Sequence, residues 1–324
     1  MPETKKKITL CIGLPGAGKT TYIDTLTDTT VVSADLLKLG IEGYDPLNPQ
    51  LVHEQSVQLA RELVLGFIQT GEPDILLDGG GVNNKYNLSI IRAAKAADYD
   101  VQILYFDTPV TVCLERNRRR DRRVPEQSIM SKALDVKRCL VEQTIASGRF
   151  WKTIEWCPEY IFLDMDGVLV EYQTFIEIEE TRTDYSKHNI FEYADPVTPV
   201  LKALKLLPIE KILLTASPGL SCTNQKLRWI ENNAEGLNIE RAIIVNSSSM
   251  KLKNLLHFLE SNDIDKTKCM VIDDEHSILW NMNREGIYAI HPSAFLAMVE
   301  SKMNNIKLIS KLVQPMGLSQ TFLF

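Results

Sequence analysis

Short apolar runs and longer amphipathic stretches alternate along the first half of the chain. Ile8–Ile12, Val31–Ser33, Ile75–Asp78 and Val101–Phe106 read as the near-continuous apolar runs of strands buried on both faces of a parallel sheet. Between them, Pro49–Gln69 and Asn87–Ala97 read as helices. Another helix is expected near Pro109, because proline suits a first helical turn. A second alternating set begins near Tyr160. Its expected strands are Tyr160–Asp164, Lys211–Thr215, Ala242–Asn246, Cys269–Asp273 and Ile287–Ile290. Its expected helices are Val197–Leu207, Thr223–Asn233, Lys251–Ser261, Glu275–Arg284 and Ser293–Asn304. The pattern predicts an α/β protein of two domains, each a mostly parallel sheet flanked by helices. No internal repeat is visible. The boundary falls around Gly148–Pro158, giving domains 1–150 and 156–324.

Composition fits that division. The chain has 324 residues, 44% of them hydrophobic, enough for two ordinary cores. No apolar run approaches the roughly 20 residues of a membrane span, so no membrane partner is expected. The segment Met1–Lys7 is polar and basic and lacks the apolar region of a signal peptide. Six scattered cysteines without CxxC spacing agree with a reduced, cytoplasmic setting. The net charge of −6 lies wholly in residues 151–324, which carry 17 Lys+Arg against 23 Asp+Glu. That argues against a general coat for duplex nucleic acid, which is usually basic. It does not exclude an enzyme that grips a few phosphates at an end.

Two stretches carry candidate chemistry. The first is Gly13-Leu14-Pro15-Gly16-Ala17-Gly18-Lys19-Thr20, which follows a predicted strand and opens a predicted helix at about Lys19. Glycines there let backbone N–H groups turn toward phosphate, and the helix N-terminus adds positive potential. Lys19 can bridge the phosphates of ATP, and the Thr20 hydroxyl can bind Mg²⁺. The nucleotide-binding candidates are Gly13, Gly16, Ala17, Gly18, Lys19, Thr20 and Thr21. Asp35 follows the second strand, where a carboxylate can take the proton of an attacking hydroxyl or cap a helix. Asp78 ends the third strand, ahead of three glycines, as a metal or acceptor ligand or part of a plain turn. The run Arg116–Arg123 contains six arginines, some of them a solvated face. Guanidinium forks suit the charge of a transferring phosphoryl group, and Arg116, Arg120 and Arg122 are the candidates.

The second stretch is Asp164-Met165-Asp166-Gly167-Val168-Leu169. Two carboxylates at spacing two leave a strand end on one side and can share a Mg²⁺, while Gly167 permits a sharp turn. Asp164 would attack phosphorus; Asp166 would protonate the leaving oxygen and then activate water. Thr215 stands at another strand end, able to hold a phosphate oxygen. A lysine opening a later helix, Lys251 or Lys253, can neutralise the phosphate; the candidate set carries Lys253. Asp273 and Asp274 end a third strand and complete a metal set of Thr20 in the first site and Asp164, Asp166, Asp273 and Asp274 in the second. His276 reads as a surface helix residue.

On these residues the first half resembles a P-loop kinase of the polynucleotide or nucleoside type. The second half resembles a haloacid dehalogenase superfamily phosphatase. Their order is that of the phage-type polynucleotide 5′-kinase/3′-phosphatase family. The resemblance implies that Lys19 and Thr20 hold ATP, that Asp35 deprotonates a 5′-hydroxyl, and that an arginine of Arg116–Arg123 clamps the phosphates. It implies Asp164 as nucleophile and Asp166 as acid/base. It implies DNA or RNA ends as substrate, with a ligase as functional partner. Lys38 stands where the family has an arginine, and Thr215-Ala216-Ser217 lacks the family's following Gly-Arg pair. Thr223–Glu235 is similar to deoxyribonucleotidase segments, which implies the alternative of a small-molecule kinase fused to a nucleotidase. Tyr172–Tyr193 is expected to cap the second site. The tail ending Gln320–Phe324 can dock on a neighbour, as in a homo-oligomer, or cover its own core.

Overall fold

The computed structural model describes residues 5–46, 48–80, 84–171, 190–191 and 194–301. The chain divides into two compact units, Met1–Cys157 and Pro158–Phe324. The expected cap at 172–193 lies outside the described residues except for Ile190 and Phe191, and the tail from Ile306 lies wholly outside them.

The first unit is a five-stranded, all-parallel sheet in the order β2-β3-β1-β4-β5. The strands are β1 (Lys7–Ile12), β2 (Thr30–Ser33), β3 (Asp74–Gly80), β4 (Asp100–Asp107) and β5 (Lys152–Glu155). β1 sits centrally and Ile8, Leu10 and Ile12 are 0–1% exposed. The helices are α1 (Lys19–Ile23), α2 (Ala34–Leu37), α3 (His53–Thr70), α4 (Asn84–Ala96), α5 (Val110–Arg118) and α6 (Glu126–Ser147). Along α3, Ser56, Ala60, Val64 and Ile68 are buried at a spacing of four, one stripe of a 3.6-residue helix. That stripe packs with Ile8, Leu10, Ile75, Leu77, Ile90 and Ile91 in one core. Cys11, Leu76, Ile103, Phe106, Cys113, Ile129 and Leu140 form a second core. Strands feeding two cores must be apolar on both faces, which is why they read as continuous runs.

Two features differ from expectation. β5 pairs in parallel with β4, from Leu104 opposite Lys152 to Asp107 opposite Glu155, so the first unit extends past residue 150. It is an edge strand with only Ile154 turned partly inward, so its sequence carries little apolar signal. α3 starts at His53, and residues 49–52 form turns instead.

The second unit repeats the logic with the order β10-β9-β6-β7-β8, again all parallel. Its strands are β6 (Tyr160–Leu163), β7 (Glu210–Ala216), β8 (Ile239–Val245), β9 (Cys269–Ile272) and β10 (Tyr288–Ile290). Between them run α7 (Thr198–Lys205), α8 (Leu220–Asn233), α9 (Lys251–Ser261) and α10 (His276–Arg284). Phe162, Ile212, Leu214 and Val271 pack against Leu255 and Leu259 of α9 and Ile278 and Met282 of α10. Burying each such side chain contributes about 1.5–3 kcal/mol. All six cysteines are free, five of them buried. Among the described residues no helix is long and apolar enough to cross a membrane.

Candidate functional site

In both units the chemistry-bearing residues gather where parallel strands end, the edge at which open α/β sheets bind ligands. In the first unit β1 feeds the loop Gly13–Gly18 and α1 begins at Lys19. Gly16 and Gly18 have φ of +87° and +99°, and a Cβ on Gly16 would lie 2.5 Å from the Cys113 carbonyl oxygen. Glycine is therefore required at position 16 for both backbone conformation and space. Lys19 Nζ donates to the carbonyls of Gly13 (2.9 Å) and Leu14 (3.1 Å), so its ammonium lies inside the loop. Burial pushes that ammonium below its ordinary range, and nearby Asp78 opposes the shift. The Ala17 carbonyl accepts from Thr108 Oγ1 at 2.9 Å, which ties the loop to the end of β4. Thr20 lines a cleft of about 300 Å³ beside the loop. Thr21 is exposed and outside the cleft lining, because one helical residue turns the side chain by about 100°.

Asp35 and Asp78 face the same cleft. Asp35 is the second residue of α2, not its cap. Its Oδ1 accepts from Lys38 Nζ at 2.8 Å and from Arg122 Nη2 at 3.0 Å. Both cations fall on one oxygen, which leaves Oδ2 open among the described residues. Burial pushes the Asp35 carboxyl up, but Lys38 and Arg122 outweigh it and hold it down at about 2. Lys38 is 3% exposed and reaches Asp35 from three residues on along the chain. Asp78 accepts from Ser33 Oγ at 3.3 Å, and burial pushes its carboxyl up against the pull of Lys19.

The structure separates the arginines. Arg118 and Arg119 pair with Glu115 and Glu126. Arg116 donates to the Gly16 carbonyl at 3.4 Å, bracing the loop. Arg122 is taken by Asp35. Arg120 lines the cleft, and among the described residues its guanidinium has no acceptor within hydrogen-bonding distance. Arg123 lines the cleft too and donates through Nε to the Arg120 carbonyl at 3.4 Å.

In the second unit Asp164 follows β6, and Gly167 (φ +69°) turns the chain sharply after it. Lys251, the first residue of α9, lies 2.8 Å from Asp164 Oδ2 and 2.8 Å from Asp273 Oδ2. Lys251, Asp164 and Asp273 are all buried, at 1%, 5% and 0% exposure. Burial opposes the charge on Lys251, but the two carboxylates outweigh it and raise its pKa. Burial, then the neighbouring Asp164, pushes the Asp273 carboxyl up to about 6. Lys251, not Lys253, is thus the lysine of this site. Lys253 is exposed, because two residues along a helix turn a side chain by about 200°.

Asp164, Asp273 and Asp274 bring one oxygen each within 4.8 Å of one another. Asp164 Oδ1 is buried and has no hydrogen-bond partner among the described residues. A buried carboxylate oxygen left unsatisfied is costly, and three converging oxygens suit a hard cation such as Mg²⁺. These residues therefore fit a divalent metal. Asp166 is not part of that group. Its carboxylate turns instead to Lys226 of α8 and adds no side-chain oxygen to that group. Burial pushes Asp166 up and Lys226 opposes that shift. Lys226 is 2% exposed and also donates to Thr215 Oγ1 (2.9 Å) and the Ala216 carbonyl (2.8 Å). Thr215 is fully buried, with its hydroxyl engaged by that lysine. The Phe191 ring lies 5.1 Å from the same ammonium. Lys226 was not among the expected site residues, although it lies within the Thr223–Glu235 stretch. His276 is exposed at the start of α10.

Residues 8–138 match a family model described as an AAA domain, which covers less than half of the chain. With the loop geometry, this supports a P-loop kinase-like fold for the first unit. Among solved structures, a chain of the Pnkp1/Rnl/Hen1 RNA repair complex is similar over 89% of this chain and 96% of its own, at 16% identity and a TM-score of 0.33. Shikimate kinase from Acinetobacter baumannii is similar over 47% of this chain and 84% of its own, at 19% identity and a TM-score of 0.32. The Deinococcus radiodurans tunicamycin resistance protein is similar over 47% and 87%, at 18% identity and a TM-score of 0.32. At these scores none of the three likenesses bears on function. No curated protein matches the chain.

Proposed function

We propose that this chain, whose first unit is a P-loop kinase-like domain, heals nucleic-acid ends: it phosphorylates 5′-hydroxyls with ATP and removes 3′-phosphates. The observation that carries this reading is the pairing of two unlike centres on one chain. One is a phosphate loop facing a carboxylate with an open oxygen, Asp35 Oδ2. The other is a buried Asp164–Lys251–Asp273 cluster with an unsatisfied oxygen.

In the kinase reaction, the loop N–H groups and Lys19 hold the transferring phosphates, and Arg120 receives the charge on the γ-phosphoryl oxygens. Asp35 Oδ2 takes the proton of the acceptor hydroxyl as its oxygen bonds to phosphorus and ADP leaves. A carboxyl held at about 2 is a weak base. That is sufficient for a loose transition state, in which the hydroxyl loses its proton late and orientation matters most. Thr20 would hold Mg²⁺, which supplies charge neutralisation between the phosphates.

In the phosphatase reaction, an Asp164 oxygen attacks the phosphorus of a 3′-phosphate and the 3′-oxygen departs with a proton from Asp166. Water, deprotonated by the same Asp166, then attacks the aspartyl-phosphate, and inorganic phosphate leaves. Asp164, Asp273 and Asp274 would hold Mg²⁺, while Lys251 steadies the two buried carboxylates.

The test uses radiolabelled ATP with a 5′-hydroxyl oligonucleotide, and separately a 3′-phosphorylated one. Lys19→Ala should abolish phosphorylation and spare phosphate release; Asp164→Asn should do the reverse. No transfer to any 5′-hydroxyl end would refute the kinase assignment. A second reading, a nucleotidase fused to a small-molecule kinase, is favoured by the acidic second half and by the Thr223–Glu235 stretch. Faster release from mononucleotides than from the 3′-phosphorylated oligonucleotide would select it.

A further inference from the structure

A second cavity opens beside the phosphate cleft, and nothing in the two reactions above uses it. It has about 300 Å³ and lies among β3, α3 and α4. Ala34, His53, Val57, Gly79 and Lys132 line both spaces, so the cavity starts next to Asp35 and runs away from the nucleotide loop. Its deep wall is apolar, made by Ala60, Leu77 and Ile90, and the half-buried Tyr86 ring adds an aromatic surface. Its polar groups are few. Arg61 lines it and donates through Nε to Ser89 Oγ at 3.1 Å, His53 Nδ1 is buried without a hydrogen-bond partner among the described residues, and Asn87 is 6% exposed. At the shared mouth stands Lys132, half-buried, with no hydrogen-bonding or ion-pair partner among the described residues.

An apolar, aromatic-walled pocket with a few polar groups is the form of a ligand site. About 300 Å³ is at the small end of that class, so the pocket suits one ring system and not a run of chain. A cation at the mouth suits a group that leaves the pocket carrying phosphate. A hydroxyl must sit at Asp35 Oδ2 for transfer. We infer that this cavity seats the terminal nucleobase of the 5′-hydroxyl strand, turned out of its stack, with Lys132 facing the phosphate that joins it to the next nucleotide. The ring stacks on Tyr86, and His53 Nδ1 and the Asn87 amide meet its polar edge. Turning one base out costs unstacking energy, which is least at a strand end. This inference rests on the kinase reading above and assigns the acceptor half of that site.

The experiment compares two acceptors of one sequence, one with an ordinary 5′-terminal nucleoside and one with an abasic 5′-terminal residue. It uses the full chain and saturating ATP. Parent protein should show a KM for the ordinary end about ten- to a hundredfold below that for the abasic end, the range stacking on one aromatic side chain provides. Tyr86→Ala should raise KM for the ordinary end toward the abasic value and leave the abasic KM unchanged. Ala60→Leu, which fills the cavity from its apolar wall, should do the same. Because Ala60 belongs to the core, Tyr86→Ala carries the conclusion if the filled variant fails to fold. Equal KM for the two ends in parent protein overturns the inference and leaves the kinase reading standing. So does a Tyr86→Ala loss shared equally by both acceptors. Transfer to neither end overturns the kinase reading and the inference with it.

Discussion

Replacing Lys251 by methionine keeps the aliphatic stem and deletes one buried charge. Its ammonium lies between Asp164 and Asp273, 2.8 Å from an oxygen of each, and the three side chains are at most 7% exposed. Removing one partner of such a group leaves two carboxylates facing each other in a low-dielectric site, at a cost of about 3–5 kcal/mol. Protonation of one carboxylate relieves part of that, since Asp273 already titrates at about 6. The lower end, about 3 kcal/mol, is therefore expected near pH 7. It corresponds to about a hundredfold faster amide exchange from β6 and β9 if these strands open with their unit. Hydrogen–deuterium exchange reads this locally. Amides of Ile161–Leu163 and Met270–Ile272 should speed up in the variant, while those of β1 stay as in the parent. Adding Mg²⁺ should restore much of the protection, because a cation between Asp164 and Asp273 replaces the missing charge. Parent-like exchange in the absence of divalent cation would refute the account of Lys251 as the charge that holds this site together.

Asp35 should titrate near 2, read by carboxyl NMR. Its folded pKa lies below the ordinary value, so its contribution to stability is present above about pH 4 and is lost as pH falls toward 2. Arg122→Ala should move the midpoint upward, and a parent midpoint at or above about 4 contradicts the double pairing seen at Oδ1. Arg120→Ala should lower kinase kcat by about a hundredfold or more, as loss of a positioned transition-state donor does. Arg119→Ala should change it less than about threefold, since that guanidinium is held by Glu115 and does not line the cleft. Gly16→Ala places a Cβ against the Cys113 carbonyl, whereas Gly43→Ala meets nothing within 4 Å at a similar φ of +82°. Both variants carry about 1–2 kcal/mol of left-handed strain, but only Gly16→Ala should abolish binding of a fluorescent ATP analogue.

What the sequence made legible was local in kind. The phosphate loop, the strand before it and the helix after it lie within one short segment, Lys7–Ile23, and each part reports on the next. The buried stripe of α9 was legible too: Lys251, Leu255 and Leu259 repeat every four residues, and all three are buried. That register places Lys251 on the core side and Lys253 away from it, so the periodicity of the apolar neighbours was the signal that separates the two lysines. The arginine run could have been thinned in the same way. Glu115 stands three and four residues before Arg118 and Arg119, close enough to bind both. β5 was harder, because an edge strand with one partly buried side chain lacks the apolar run that marks its neighbours.

The decisive pairings were not local. Lys226 meets Asp166 across 60 residues, and Arg122 meets Asp35 across 87. In both cases the carboxylate stands just past a strand end of a parallel sheet and the cation comes from a later segment, α8 or the loop after α5. Parallel connections force that separation, since each strand needs a long crossover before the next. The carboxylates can therefore be found by motif, while part of what sets their protonation is a cation delivered from elsewhere in the chain. The two sites also settle differently. Asp35 gains two cations at one oxygen and stays ionised, ready to orient a hydroxyl. Asp166 is more deeply enclosed, so burial, with Asp164 nearby, outweighs Lys226 and Lys251 and pushes its carboxyl upward. A residue asked only to accept a proton and one asked to donate and then accept need those opposite settings; Lys38 and Arg122 together supply the first, and burial supplies the second.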